Sequence, residues 1–226
     1  MDWQLHACKG EGYTWAMYDI YSVDHSLYCA KLRLVLRTKG LNWRDLAPPE
    51  DYLSLVPTGN LPALADKELI LTDSEAIAEY LDEKHPDPAM LPKGLIPRAK
   101  CRELSRFHDT RLEPALRLLF RNVSPATRVA SEVQAAHAEI TKRLTALSTL
   151  LDQSPLPRDR LWLSDCGLIV TLEWLELMET HTVLPLLHWS DTVRTYRAQM
   201  SALPQVVQEL AFYRPHMREW MEGKLG

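Results

Sequence analysis

The chain has 226 residues, 46% of them hydrophobic and 25% charged, enough for a sizeable core and for one large or two small domains. Its formal net charge of −4 gives no general affinity for nucleic acid or an anionic membrane. No run of about 18 uninterrupted apolar residues appears, which argues against a membrane span.

The opening MDWQLHACKGEGYTW lacks a basic start followed by an apolar core, so it reads as an extension rather than a secretory signal. Cys8, Cys29, Cys101 and Cys166 show no C-x-x-C spacing, and a reduced, cytoplasmic protein is the economical expectation. The histidines are dispersed without an H-x-H or H-x-x-x-H pair, so no metal site is expected.

AMYDIYSV, rich in β-formers, predicts a first strand. Helix spacing follows through Leu27, Ala30, Leu32, Leu34, Val35 and Leu36, with Gly40 as the stop. LNWRDLA predicts a short second strand, and the turn-rich PPEDYLSLVPTGN leaves room for a short helix. LPALAD and ELILT read as two short strands joined by a tight turn at Asp66–Lys67. TDSEAIAEYLDEKH then opens a helix that PDP closes. The order β-α-β-(α)-β-β-α suits a small mixed sheet with helices on its faces.

HPDPAMLPKGLIP, with its prolines and glycine, reads as a linker. Beyond residue 97 the pattern is helical. Cys101, Leu104, Phe107, Leu112, Leu116, Leu119 and Phe120 recur at helical spacing, with Pro114 expected to kink that helix. Val129, Val133, Ala136, Ile140, Leu144, Leu147 and Leu151 form a second stripe. Further helices are expected around 165–180, 190–201 and 204–212. The division that follows is an extension (1–15), an α/β domain (16–84), a linker (85–97) and an all-helical domain (98–226).

Two helix starts carry chemistry. Ser26 falls in the first turn of the first helix, where free N–H groups and the helix dipole favour negative charge. A thiol placed there loses its proton more easily. Taken by itself, Ser26 is a helix cap before it is anything else. At the later start Thr72 and Glu75 have capping-box spacing. Between them Asp73 can accept an ammonium, while Ser74 and helix N–H groups can hold a carboxylate. His25 and Asp24 read as exposed loop residues.

Three stretches together, SLYCAKLRLVLRTKGL, YLSLVPTGNLPALAD and ILTDSEAIAEYLDEKHP, resemble the glutathione transferase superfamily, from about residue 16 nearly to the end. The second is similar to the family's Pro-x-Gly-x-hydrophobic-Pro-x-Leu run, the third to its Glu/Asp-Ser-x-Ala-Ile run. SDCGLIVTLEWL is similar to the family's Ala-Asp helix start, with Asp165 as the structural aspartate and Trp162 where a Ser/Thr is usual.

The resemblance implies a thioredoxin-like α/β N-terminal domain followed by an all-α C-terminal bundle, the glutathione transferase fold, as a homodimer. It implies glutathione as co-substrate and an electrophilic, largely apolar small molecule as second substrate. Ser26 falls where similar proteins carry a catalytic serine or cysteine, with Tyr21 the rival and Cys29 a packed bystander. A cis bond at Leu61–Pro62 would turn the Leu61 N–H and C=O outward to pair with glutathione. Asn60 would face glutathione or serve as a turn residue after Gly59, and Asp73 and Ser74 would hold the γ-glutamyl head. Trp43 and Arg44 are the candidates for its glycyl carboxylate. Phe107, His108, Arg111 and Ala115 are the pocket candidates. The resemblance implies conjugation, reductive dehalogenation, ether cleavage or cis–trans isomerisation as reactions of such a site, and serine at position 26 argues against a main role in thiol–disulfide exchange. The alternative is a non-catalytic member of the superfamily acting as a protein-binding or regulatory module.

Overall fold

The computed structural model describes residues 17–226; the expected N-terminal extension lies outside the described residues. A four-stranded sheet is built from β1 (Met17–Tyr21), β2 (Asn42–Leu46), β3 (Ala63–Asp66) and β4 (Leu69–Thr72), in the order β2-β1-β3-β4. β1 runs parallel to β2 and antiparallel to β3, and β3 pairs antiparallel with β4. A parallel pair needs a crossover, and α1 (Leu27–Lys39) supplies it. Gly40, at φ 63°, ends α1 by sending its N–H back to the Leu36 and Arg37 carbonyls. The short α2 (Tyr52–Leu55) and α3 (Ser74–Lys84) complete the α/β unit.

All further described elements are helical: α4 (Leu95–Phe107), α5 (Glu113–Phe120), α6 (Ala130–Asp152), α7 (Leu163–Thr180), α8 (Asp191–Ser201) and α9 (Pro204–Leu225). α4 begins inside the stretch read as a linker. The kink expected at Pro114 takes the form of a π-turn, His108–Leu112, between α4 and α5. Proline offers no N–H to the preceding turn, and a π-turn is one way a helix absorbs that loss. α9 runs well past residue 212 and through Pro215, because Tyr213, Met217 and Met221 extend its buried stripe. No described helix is long and apolar enough to cross a membrane.

α1 and α7 are the packed centre, and both carry polar groups that periodicity did not mark. Lys31, Arg33 and Lys39 of α1 are buried, at 0%, 1% and 7% exposure. Each meets a carboxylate from elsewhere: Lys31 meets Glu75 and Asp109, Arg33 meets Glu209, and Lys39 meets Asp82. Buried cations persist only when so paired. At the start of α7 the usual Ser/Thr is replaced by Trp162. Half of the reciprocal cap survives, since the Trp162 N–H donates to the Asp165 carboxylate at 2.8 Å. The Tyr196 hydroxyl donates to the same carboxylate at 2.8 Å.

Gly167, one turn into α7, lies against the buried ring of His108. A Cβ there would stand 2.4 Å from that ring, and the ring is fixed at both nitrogens by Asp109 and Thr171. Gly167→Ala is therefore expected to destabilise the fold by about 1–3 kcal/mol through overpacking, even though alanine is the better helix former. Urea unfolding measures it, and an unchanged or raised midpoint would show that His108 moves freely.

Candidate active site

Ser26 caps α1 with extended backbone (φ −71°, ψ 128°), and its hydroxyl oxygen accepts the Cys29 N–H at a long 3.4 Å. No acidic side chain occupies the first turn of α1, so the positive end of the helix dipole faces Ser26 uncompensated. A cleft of about 480 Å³ opens there. Ser26 and Tyr28 form its floor. The Gly59–Leu61 loop, the α3 start at Asp73 and Ser74, and the helical wall at Arg106, Asp109 and Arg117 close it.

The structure brings together Ser26, Asn60, Leu61, Asp73 and Ser74 around this one cleft. The Leu61–Pro62 bond is cis, with Pro62 buried behind the cleft rather than lining it. Among the described residues neither Leu61 N–H nor its C=O makes a hydrogen bond, so both are available to a ligand. The Asn60 carbonyl accepts the Tyr52 hydroxyl at 2.7 Å, which fixes the loop and leaves the Asn60 side chain exposed.

The capping box expected at Thr72 and Glu75 is displaced by one residue. Thr72 ends β4, and Asp73 is the cap, its Oδ1 accepting the Glu75 and Ala76 N–H groups at 3.0 and 3.1 Å. Asp73 holds φ 72°, ψ 114°, a conformation uncommon outside glycine that turns the chain abruptly from β4 into α3. Its Oδ2 makes no hydrogen bond among the described residues, and the residue is exposed. Glu75 serves no capping role, because its carboxylate is drawn inward to Lys31 at 2.8 Å.

Asp109, on the π-turn, receives two hydrogen bonds from Lys31 Nζ at 3.0 Å each and one contact from His108 Nδ1 at 2.8 Å. Burial would raise its carboxyl pKa, but the bonds from His108 and Lys31 outweigh that and lower it. The chain Glu75–Lys31–Asp109–His108–Thr171 thus joins α3, α1, the π-turn and α7 behind the cleft.

A second, smaller cavity of about 210 Å³ adjoins the first and shares Ser26, Tyr28 and Arg117 with it. Phe120, Trp174 and Trp220 wall it, with ring centroids 5.1–5.5 Å apart in edge-to-face contact. His25 is not an exposed loop residue. It lines this chamber, stacked on Trp220 at 5.9 Å, and burial lowers its pKa, so the ring is neutral near pH 7. Tyr28 is held as the neutral phenol, burial first and then the Glu113 and Asp109 charges raising its pKa.

Several expected residues lie elsewhere. Trp43 bonds Asp45, and Arg44 pairs with Asp19 on the open sheet face, so neither lines the cleft. Phe107, His108, Arg111 and Ala115 line neither cavity; the wall is made by Arg106, Asp109, Arg117 and Phe120. Phe107 packs on the core and His108 is buried against Thr171 of α7, while the π-turn shifts the face that α5 presents relative to α4. Tyr21 packs against Tyr52 at 5.5 Å and lines neither cavity. Cys29 is buried, and burial raises its thiol pKa despite the Ser26 contact.

Residues 20–89 match the family described as "Glutathione S-transferase, N-terminal domain". The described chain also superposes on a theta-class glutathione S-transferase from Xanthomonas axonopodis pv. citri with glutathione bound, at TM-score 0.70 and 19% identity, covering 85% of this chain and 96% of that one. This is a glutathione transferase N-terminal domain in a chain with the glutathione transferase fold.

Among curated relatives of this glutathione transferase domain, the stringent starvation protein A homolog of Coxiella burnetii is 39% identical over 90 residues, 38% of this chain and 43% of its own length. Glutathione S-transferase Z1 of Arabidopsis thaliana is 30% identical over 141 residues, 58% of this chain and 64% of its own. The matches thus span less than two thirds of these relatives. A zeta-class bacterial maleyl pyruvate isomerase shares the fold at TM-score 0.68 and 23% identity, over 84% of this chain and 95% of that one.

Proposed function

We propose that the chain is a glutathione-dependent transferase or isomerase whose Ser26 steadies the thiolate of bound glutathione for attack on an electrophilic, largely apolar small molecule. The observation that carries this reading is the convergence of Ser26, Leu61, Asp73 and Ser74 on one cleft that opens into an aromatic chamber. A tripeptide fits the donors in order. Its α-ammonium meets the free oxygen of Asp73. Its α-carboxylate meets Ser74, whose hydroxyl makes no hydrogen bond among the described residues, together with the α3 N–H groups. Its cysteinyl amide pairs with Leu61, and its sulfur comes to rest at the start of α1.

The proposal keeps the division into a glutathione-binding domain (16–84) and a helical domain (98–226). It includes a homodimer, for which exposed Leu95 and Ile96 at the start of α4 offer apolar surface to cover. A reducing, cytoplasmic setting suits Cys29, Cys101 and Cys166, all free and buried.

Titration calorimetry tests the reading. Glutathione is expected to bind, and Asp73→Asn is expected to weaken it about tenfold, as loss of one charge-assisted hydrogen bond does. Asparagine caps a helix and tolerates positive φ nearly as well as aspartate, so the melting temperature should stay within about 2 °C. No heat at millimolar glutathione would remove the enzyme reading. It would favour a protein-binding module, a reading supported by the match over 90 residues to proteins named for stringent starvation rather than for a transferase.

A further inference from the structure

The aromatic chamber carries a charge pattern that an apolar substrate does not require. Of the residues that line it, Arg117 alone is charged near neutral pH, since His25 is neutral and the rest are Ser26, Leu27, Tyr28, Phe120, Trp174 and Trp220. Arg117 stands where the chamber meets the cleft, its guanidinium 5.8 Å from the Tyr28 ring centroid. Glu113, buried at 2% exposure, takes its Nε and Nη2. That pairing fixes the plane of the guanidinium from behind. Nη1 makes no hydrogen bond among the described residues, and the side chain is 57% exposed. The carboxylates of Asp73 and Asp109 line the cleft and not the chamber, so an anion in the chamber avoids both.

We propose that the second substrate is a planar aromatic or conjugated electrophile bearing a carboxylate, its ring held among Phe120, Trp174 and Trp220 and its carboxylate on Nη1 of Arg117. The inference rests on the reading of Ser26 as the thiolate site and adds the class of acceptor. Offset and edge-to-face ring contacts select a flat molecule, and a fixed guanidinium selects a carboxylate by direction as well as charge. Arg117 acts here as a specificity residue.

A matched pair of chloronitroarenes tests this, 4-chloro-3-nitrobenzoate against 4-chloro-3-nitrobenzamide. In both, the glutathione thiolate attacks the ring carbon bearing chlorine. The C–S bond forms, the C–Cl bond breaks, and chloride leaves with its electron pair. The benzoate-to-benzamide ratio of kcat/KM is expected to fall about tenfold in Arg117→Gln, the scale of a lost charged hydrogen bond, with the change in KM for the benzoate rather than in kcat. A ratio unchanged by the substitution overturns the proposal. Quenching of tryptophan fluorescence by unreactive 3-nitrobenzoate and 3-nitrobenzamide, without glutathione, gives a readout that does not need a working thiol site. Tighter benzoate binding that Arg117→Gln abolishes supports the proposal even if glutathione fails to bind, and equal binding of the two probes defeats it.

Discussion

Ser26→Ala is expected to lower kcat/KM for glutathione conjugation about 100-fold, the scale on which removal of one preorganised donor to a developing or resting anion acts. The loss should depend on pH. With the hydroxyl present, the sulfur sits against an uncompensated helix start and a donor, both of which favour the thiolate. Without it the thiol pKa drifts back toward about 8.5, so the deficit is larger at pH 6.5 than at pH 9. Ser26 is also the cap of α1, and capping loss alone costs about 1 kcal/mol. Ser26→Asp separates the two roles. Aspartate caps as well as serine but sets a negative charge beside the sulfur, so a thiolate site is damaged at least as much as in alanine. Full activity in Ser26→Asp would reduce Ser26 to a cap.

Tyr21 and Cys29, the alternatives to Ser26, have surroundings visible only in three dimensions. Tyr21 and Ser22 are neighbours on β1 and point to opposite sides. Tyr21 is taken up by the Tyr52 cluster, and Ser22 donates to Asp45 at 2.6 Å. Cys29 lies three residues beyond Ser26, and its burial favours the neutral thiol.

What was legible came from local rules. The strand-to-helix junction at Ser26, the turn carrying Pro62 and the helix start at Asp73 are each fixed within a few residues, so the sequence pattern located them. The apolar stripe of α6 was equally plain because one face is buried along its length. What was not legible depends on partners distant in sequence. Local spacing says nothing of Lys31, whose burial depends on Glu75 and Asp109 far along the chain. Arg117 and Phe120 were missed because the π-turn shifts the face that α5 presents. The capping box at Thr72 was misplaced by one residue because Asp73 takes a backbone conformation that composition does not announce.

Lys31→Met is expected to destabilise the protein by about 3–5 kcal/mol, the cost of breaking a buried ion pair by removing one partner, and to lower the melting temperature by on the order of 10 °C. The side chain is 1% exposed and faces two carboxylates at 2.8 and 3.0 Å, and methionine fills its volume without its charge. The pH dependence gives the mechanism. The Asp109 pKa is lowered on folding, so its contribution is present above the unfolded value of about 3.9 and disappears as pH falls through the lower folded value. Burial alone would lower the Lys31 pKa, but Glu75 and Asp109 raise it. Its contribution is therefore complete below the unfolded value of about 10.4 and lost as pH rises through the higher folded one.

Between roughly pH 5 and pH 9 the wild type should thus keep a constant advantage over the variant. Below about pH 5 the gap should narrow, because the stranded carboxylates of the variant gain by taking up protons on folding. Asp109→Asn placed on Lys31→Met should recover part of the loss, since it removes one of the two stranded charges. The same lysine joins α1 to α3 behind the cleft, which fixes the spacing of Ser26 and Ser74. Loosening that spacing should raise the KM for glutathione more than it lowers kcat. A variant that unfolds at the wild-type temperature at pH 7, or a gap that widens toward acid, would show that Lys31 carries no such buried pairing.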